Sequence, residues 1–370
     1  MKYQRWNNYR KYLLDKYGTS LYRIGVDGGF SCPNRTQERH GGCTFCDGTG
    51  SVAVYQRTSE SGFRHDSSFE KEVSEEILLR FQSIENQISK GLEFVKRRYK
   101  ASLFALYFQS WTNTYDTVEN LKKIYDKALS CGDFREFIVS TRPDEVGPDV
   151  VELLSSYMNE EREVWVELGL QSANNDTLAR INRGHTVEDY IDAATRLHER
   201  NLKVCTHVII GLPGETRKDY ERTAEVLNEC GSDAVKIHNL HIPGGTRMAE
   251  DYLSGEIAAF STERYIRETE NFLRRLNPNM VVERLLCETP SHRLMAPRHF
   301  LDKSQFLTAL EERMILCDTR QGDLYEGCRY HSRCTYCCIQ DPWRGDRKAI
   351  EGEGKGRGRK RKSGDGCHFV

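Results

Sequence analysis

The 370-residue chain has almost no net charge: 54 Lys and Arg against 55 Asp and Glu leave −1 at pH 7. So even a balance excludes a whole-protein field that would draw the chain onto nucleic acid or an anionic membrane. Long apolar runs are also missing, with none approaching the roughly 18 residues of a membrane span. The opening MKYQRWNNYR lacks the apolar stretch of a signal peptide. These absences lead us to expect a cytoplasmic protein without a membrane partner. Hydrophobic residues make up 38% of the chain, lean but sufficient for a core. The length suits one large α/β domain with an appendage, or two domains.

Cysteine, by contrast, is plentiful at 13 residues. Disulfide frameworks belong to small exported domains, so clustered cysteines in this chain point to metal or redox chemistry. Two groups stand out: Cys32, Cys43 and Cys46 near the start, and Cys328, Cys334, Cys337 and Cys338 near the end. Cys131, Cys205, Cys230, Cys287 and Cys317 stand apart and read as small buried hydrophobes.

Short apolar runs alternate with stretches of helical periodicity. The predicted strands are 22–27, 103–109, 136–140, 164–169, 204–211 and 234–240, and the predicted helices 69–90, 118–129, 148–157, 187–200 and 218–230. This rhythm implies a parallel sheet with right-handed crossovers. Six units are too few for an eight-unit barrel and suit a partial barrel or a doubly wound sheet. In either fold the active site lies at the C-terminal ends of the strands. Gln109, Ser110, Ser140, Gln171, His207, His238 and His241 sit there as polar site candidates. One more strand is expected at 281–287 and one more helix at 303–316.

The first cysteine group directly follows the first strand, in Phe30-Ser31-Cys32-Pro33-Asn34-Arg35, six further residues, and Gly42-Cys43-Thr44-Phe45-Cys46. Cysteine thiolates are the usual ligands of iron–sulfur clusters, and three of them leave one iron open for chemistry. A zinc site completed by His40 is the competing reading. The stretches DGGFSCPNR, GGCTFC, YFQSWTNTY, STRPDEV, VELGLQSANNDTLARINRGHT, THVIIGLPGET and KIHNLHIPGGT, in this order between about Tyr9 and Arg298, resemble the YhcC-type radical S-adenosylmethionine (SAM) family. That family is related to the catalytic subunit of Elongator and to oxygen-independent coproporphyrinogen oxidase.

The resemblance implies an α/β fold, a partial (β/α)6 TIM-like barrel. It implies a 4Fe–4S cluster on Cys32, Cys43 and Cys46, with SAM on the open iron, cleaved reductively to a 5′-deoxyadenosyl radical. An electron donor such as flavodoxin or ferredoxin would be a partner. Phe45 resembles the aromatic beside the adenine. Gln109-Ser110-Trp111-Thr112 stands where relatives carry a glycine-rich motif for the SAM amino group, and here the glycines are absent. Ser140 takes the place of a carboxylate at the end of the third strand. Gln171 and Arg183 match the Gln and Arg that contact the SAM ribose and carboxylate, and an arginine suits two-point carboxylate binding. His207 replaces an aspartate that binds ribose hydroxyls.

The organisation expected is a barrel over 1–276, a C-terminal α+β extension over 277–320, a cysteine-rich segment over 321–344 and a disordered basic tail over 345–370. Cys328, Cys334 and Cys337, with Cys338 or His331, would form a second site for zinc or an iron–sulfur cluster. The KGRGRKRK run in the tail could touch an RNA backbone. Two functions remain: a radical SAM enzyme of unidentified substrate, with RNA or tRNA modification one candidate reaction, and a metal-binding RNA-associated module with a structural cluster. Gln171, Arg183 and the GLPGE loop separate them, because a structural cluster needs no SAM cradle.

Overall fold

The structure is a computed structural model that describes residues 4–35, 41–48 and 73–327. Its elements, in chain order, are α1 (Tyr9–Tyr17), β1 (Leu21–Val26), α2 (Val73–Tyr99), β2 (Leu103–Phe108), α3 (Val118–Leu129), β3 (Glu136–Thr141), α4 (Pro148–Ser155), β4 (Glu163–Gln171), α5 (Asn175–Arg180), α6 (Val187–Glu199), β5 (Lys203–Ile210), α7 (Arg217–Glu229), β6 (Ala234–Asn239), β7 (Ile242–Pro243), α8 (Arg247–Leu253), α9 (Thr262–Arg275), β8 (Val281–Arg284), β9 (Leu294–Ala296) and α10 (Lys303–Leu316).

Seven strands form one parallel sheet in the order β1-β2-β3-β4-β5-β6-β8. β1 and β8 are its opposite edges, yet Arg23 of β1 donates to Glu283 of β8 at 2.7 Å. The sheet is therefore curled until its edges almost meet, which decides for the partial TIM-like barrel over the doubly wound sheet. The segment before α1 bridges the remaining gap, with Val282 N–H donating to Asn7 C=O at 2.8 Å.

Strand alternation sorts side chains to two faces. Ile24, Leu106, Phe108, Phe137, Val139, Val166 and Val204 join the helices in the main core, where Tyr125 of α3 packs edge-on against Phe108 and Phe137 at ring distances of 5.2 Å. A second, smaller core of Leu13, Leu21, Ala105, Tyr107, Ile138, Trp165, Cys205, Ala234 and Val281 is packed with Tyr9, Tyr12 and Tyr17 of α1. α1 thus plugs the barrel at the N-terminal ends of its strands.

All six expected strands form within two residues of their expected ends. Three differences stand out. The expected 281–287 strand shortens to β8 and joins the main sheet, so the barrel has seven strands and the sheet continues past Leu276. α2 runs on to Tyr99, nine residues beyond the expected Lys90, because Leu92 and Val95 keep the apolar stripe on the core. α1, α5, α8 and α9 were not anticipated; α1 lacks a clean polar face because its tyrosines serve as both plug and donors. No helix among the described residues is long and apolar enough to cross a membrane.

Candidate functional site at the barrel mouth

β1 ends in Asp27-Gly28-Gly29-Phe30, and a Cβ on Gly28 would lie 2.4 Å from the Phe30 ring, so only glycine lets Phe30 fold back. Phe30 anchors against Phe108 and Tyr125. The cysteine loop that follows is fastened by two turns: Arg35 N–H to Cys32 C=O at 3.0 Å, and Cys46 N–H to Cys43 C=O at 2.9 Å.

This loop is sewn to the chain between α5 and α6. Asn34 Nδ2 donates to Asn182 C=O at 2.6 Å, Asn182 Nδ2 donates to Gly42 C=O at 2.8 Å, and Thr44 N–H donates to Ile181 C=O at 2.9 Å. Arg183, buried just beyond, donates through Nη2 to Gly169 C=O at 2.8 Å and points Nη1 at Cys43 Sγ, 3.5 Å away. Arg142 is buried too. It forms a two-point pair with Asp144 at 3.0 and 2.6 Å and donates Nη1 to Arg183 C=O at 2.7 Å. Cys32 and Cys43 both lie in its field. Arg35 donates to Cys46 C=O at 2.6 Å. Burial pushes the Cys46 thiol up, and Arg35 works against that shift. Three guanidinium groups therefore surround three cysteines, an arrangement suited to a site that gathers negative charge.

The remaining candidates lie on the adjoining strand ends. Ser110 and Trp111 both adopt left-handed backbone, φ 68° and 64°. The backbone just after β2 thus takes a glycine-like conformation without glycines, a strain typical of ligand-contacting turns. Asn113 Nδ2 holds it by donating to Ser110 C=O at 2.8 Å and Ser140 C=O at 2.7 Å, and Thr112 N–H ties it to Ser31 C=O of the cysteine loop at 3.2 Å. Gln171, at φ 73°, turns its amide beside the Arg183 guanidinium over Gly169. The side chains of Gln109, Ser140 and Gln171 are half-buried, and none makes a hydrogen bond among the described residues. Phe45 is half-buried against the core.

His207 sits lower than expected. Its Nε2 is 2.9 Å from Glu167 Oε2, within a buried network beneath the mouth. Glu167 also accepts from Tyr107 Oη at 2.7 Å, Arg23 Nη1 at 3.0 Å and Lys236 Nζ at 2.5 Å. Burial lowers the His207 pKa, and the Glu167 carboxylate works against that shift. Glu167, Cys205 and His207 are the one trio of ligand-type atoms within 4.8 Å of one another among the described residues. It is a poor metal site, because Glu167 is saturated by cations and donors and burial pushes the Cys205 thiol up. His40, the fourth ligand of the competing zinc reading, lies outside the described residues.

The profile of the radical SAM superfamily matches residues 32–227, and that of a radical SAM C-terminal domain matches residues 232–315. The chain belongs to the radical SAM superfamily. It is 35% identical over 286 residues to the protein YhcC of Escherichia coli K12, covering 77% of this chain and 84% of that one. It is 29% identical over 324 residues to YtqA of Bacillus subtilis, covering 87% and 94%. Among solved structures, the archaeal Methanocaldococcus infernus Elp3 shares the fold, with a TM-score of 0.55 and 20% identity over 65% of this chain and 60% of that one. The chain is thus an enzyme of the radical SAM class, a membership that implies a 4Fe–4S cluster and SAM.

Asn34, Arg35, Arg142 and Asn182 are site-building residues the sequence reading gave no role. All four stand inside the family-like stretches, but only the fold shows that they meet. The second group, Cys328, Cys334, Cys337 and Cys338 with His331, lies outside the described residues, and the comparisons give a second metal there no support.

Proposed function

We propose that Cys32, Cys43 and Cys46 hold the 4Fe–4S cluster and that SAM lies across the barrel mouth on Gln171 and Arg183. The observation that carries this reading is the cysteine loop sewn through Asn34 and Asn182 to the segment bearing Arg183, whose guanidinium reaches Cys43 Sγ. The donor set fits the group: three thiols, no fourth cysteine in the loop, and cations that offset thiolate charge. When bound, the cluster supplies one low-potential electron for reductive cleavage of SAM to methionine and a 5′-deoxyadenosyl radical.

The protein's own part is binding and orientation. Arg183 is held in place by Gly169 C=O, which leaves guanidinium N–H groups for a carboxylate. Gln171, Gln109 and Ser140 offer unpaired polar groups where the amino and ribose groups would lie, which a purely structural cluster would not require. Phe45 would flank the adenine. The α1 plug closes the far end of the barrel and excludes water from that side. A small redox protein such as flavodoxin or ferredoxin would deliver the electron. Kinship with the Elongator catalytic subunit makes RNA, tRNA foremost, the first substrate class to try.

Anaerobic reconstitution with iron, sulfide, SAM and reductant should give a brown protein that forms 5′-deoxyadenosine. Cys32→Ala, Cys43→Ala and Cys46→Ala should each lose the chromophore, the reduced-state EPR signal and the product. Full iron content in the triple variant would rule the assignment out.

A further inference from the structure

At the sheet edge that curls round to meet β1, β8 makes its last pairings with an irregular register. Val282 pairs with Val235, but Arg284 pairs with Lys236, so Glu283 and Arg284 together oppose one residue of β6. An extra residue of this kind re-aims the side chain that follows it. Lys236 points inward, since its Nζ reaches Glu167 at 2.5 Å and Glu283 at 3.4 Å inside the barrel. Arg284, its lateral partner, is brought to the same face instead of alternating away. The field of Arg284 is felt at Tyr107, His207, His238 and Cys287, on the inner face and rim of the barrel.

Arg284 differs from the other cations there. Arg23 and Lys236 are both committed to Glu167 and Glu283. Arg284 is exposed and has no hydrogen bond and no ion pair among the described residues. Beside it, His238 Nε2 is sealed from solvent without a hydrogen-bond partner, a costly state for a polar atom. The His238 ring lies 5.4 Å from the His207 ring. The groups acting most strongly on His238 are Arg284, His207, Lys236 and His241, and no carboxylate is among them.

We propose that Arg284 and His238 form a binding subsite for an oxyanion carried by the substrate, a carboxylate or a phosphate, opposite the SAM side of the mouth. A free guanidinium suits two-point recognition of such a group. A neutral imidazole with a proton on Nε2 adds one donor, and the oxyanion satisfies the nitrogen that the protein leaves bare. The subsite would hold the substrate's charged end against the β6–β8 wall and leave the rest of it facing Gln171. This rests on the reading of the mouth as the reaction site.

The test is calorimetric titration of the full-length protein with inorganic phosphate and, separately, with acetate, for wild type, Arg284→Gln and Arg284→Lys. Wild type should bind at least one of them in the millimolar range. Arg284→Gln should weaken binding about fivefold or more, with Arg284→Lys in between because it keeps charge without the fork. Tighter phosphate assigns a phosphate-bearing substrate, and tighter acetate a carboxylate-bearing one. Absence of binding to wild type, or any smaller loss in Arg284→Gln, overturns the proposal. Neither titration needs cluster or SAM, so failure here leaves the cluster assignment standing, and failure of cluster assembly leaves this result readable.

Discussion

Glu215 closes the Gly211-Leu212-Pro213-Gly214 turn after β5 with its carboxyl buried. Ser172 Oγ donates to Oε1 at 2.5 Å, while Oε2 is buried without a partner. Burial pushes its pKa from the ordinary 4.5 up to about 8, so at neutral pH the folded protein keeps this proton and the unfolded chain has lost it. A carboxyl raised in this way costs stability as pH climbs from its unfolded value to its folded one. Wild-type stability should therefore decline between about pH 4.5 and pH 8 from this group, and level off above. Glu215→Gln removes the ionisation while keeping an acceptor for Ser172. Urea unfolding should show the two proteins nearly equal near pH 4 and the Gln variant ahead by on the order of 4 kcal/mol at pH 8. A pH-independent difference between them would show that Glu215 is not held protonated.

At the scale of the element, β4 carries the most consequential backbone. Its inner face runs Trp165, Glu167, Gly169 and Gln171, from the plug through the ion network to the mouth. At Gly169 the missing side chain makes room for two others: an added Cβ would lie 2.5 Å from Arg183 Nη2 and 2.8 Å from Gln171 Nε2. Gly169→Ala should displace both SAM-facing side chains at once. Because its C=O remains available, the fold should lose only about 1 kcal/mol. SAM affinity, measured on the reconstituted protein, should fall about tenfold or more, in line with loss of one charge-assisted contact. Unchanged affinity would mean that neither Arg183 nor Gln171 touches SAM.

The whole barrel is fastened by the buried network around Glu167, which joins β1, β2, β4, β5 and β6 through one carboxylate, while Glu283 carries it on to β8. Removing one member of such a set leaves the others uncompensated in a dry interior. Glu167→Gln should cost about 3–5 kcal/mol in urea unfolding, because it strands Lys236 and Arg23. Glu167→Gln with Lys236→Met should recover part of that loss. If the single variant were as stable as wild type, the network would not be what holds the curled sheet together.

The strand–helix rhythm, the cysteine loop after β1 and the polar residues at strand ends were legible in the sequence. Each is local: alternation of apolar residues sets strand and helix, and three thiols in fifteen residues form a group in any fold that keeps the segment together. What tertiary structure alone decided depends on residues far apart in the chain. Arg23 meets Glu283 across 260 positions and closes the sheet, a contact that depends on accumulated strand twist and that no window of sequence contains. Asn34 meets Asn182 across 148 positions and joins the cysteine loop to the Arg183 segment. His207, read as a ligand-facing residue, has Glu167 as its partner, a neighbour that strand register and not residue type set. A register irregularity in β8 turned Arg284 inward, and a pattern of alternation read along the chain would have placed it outside.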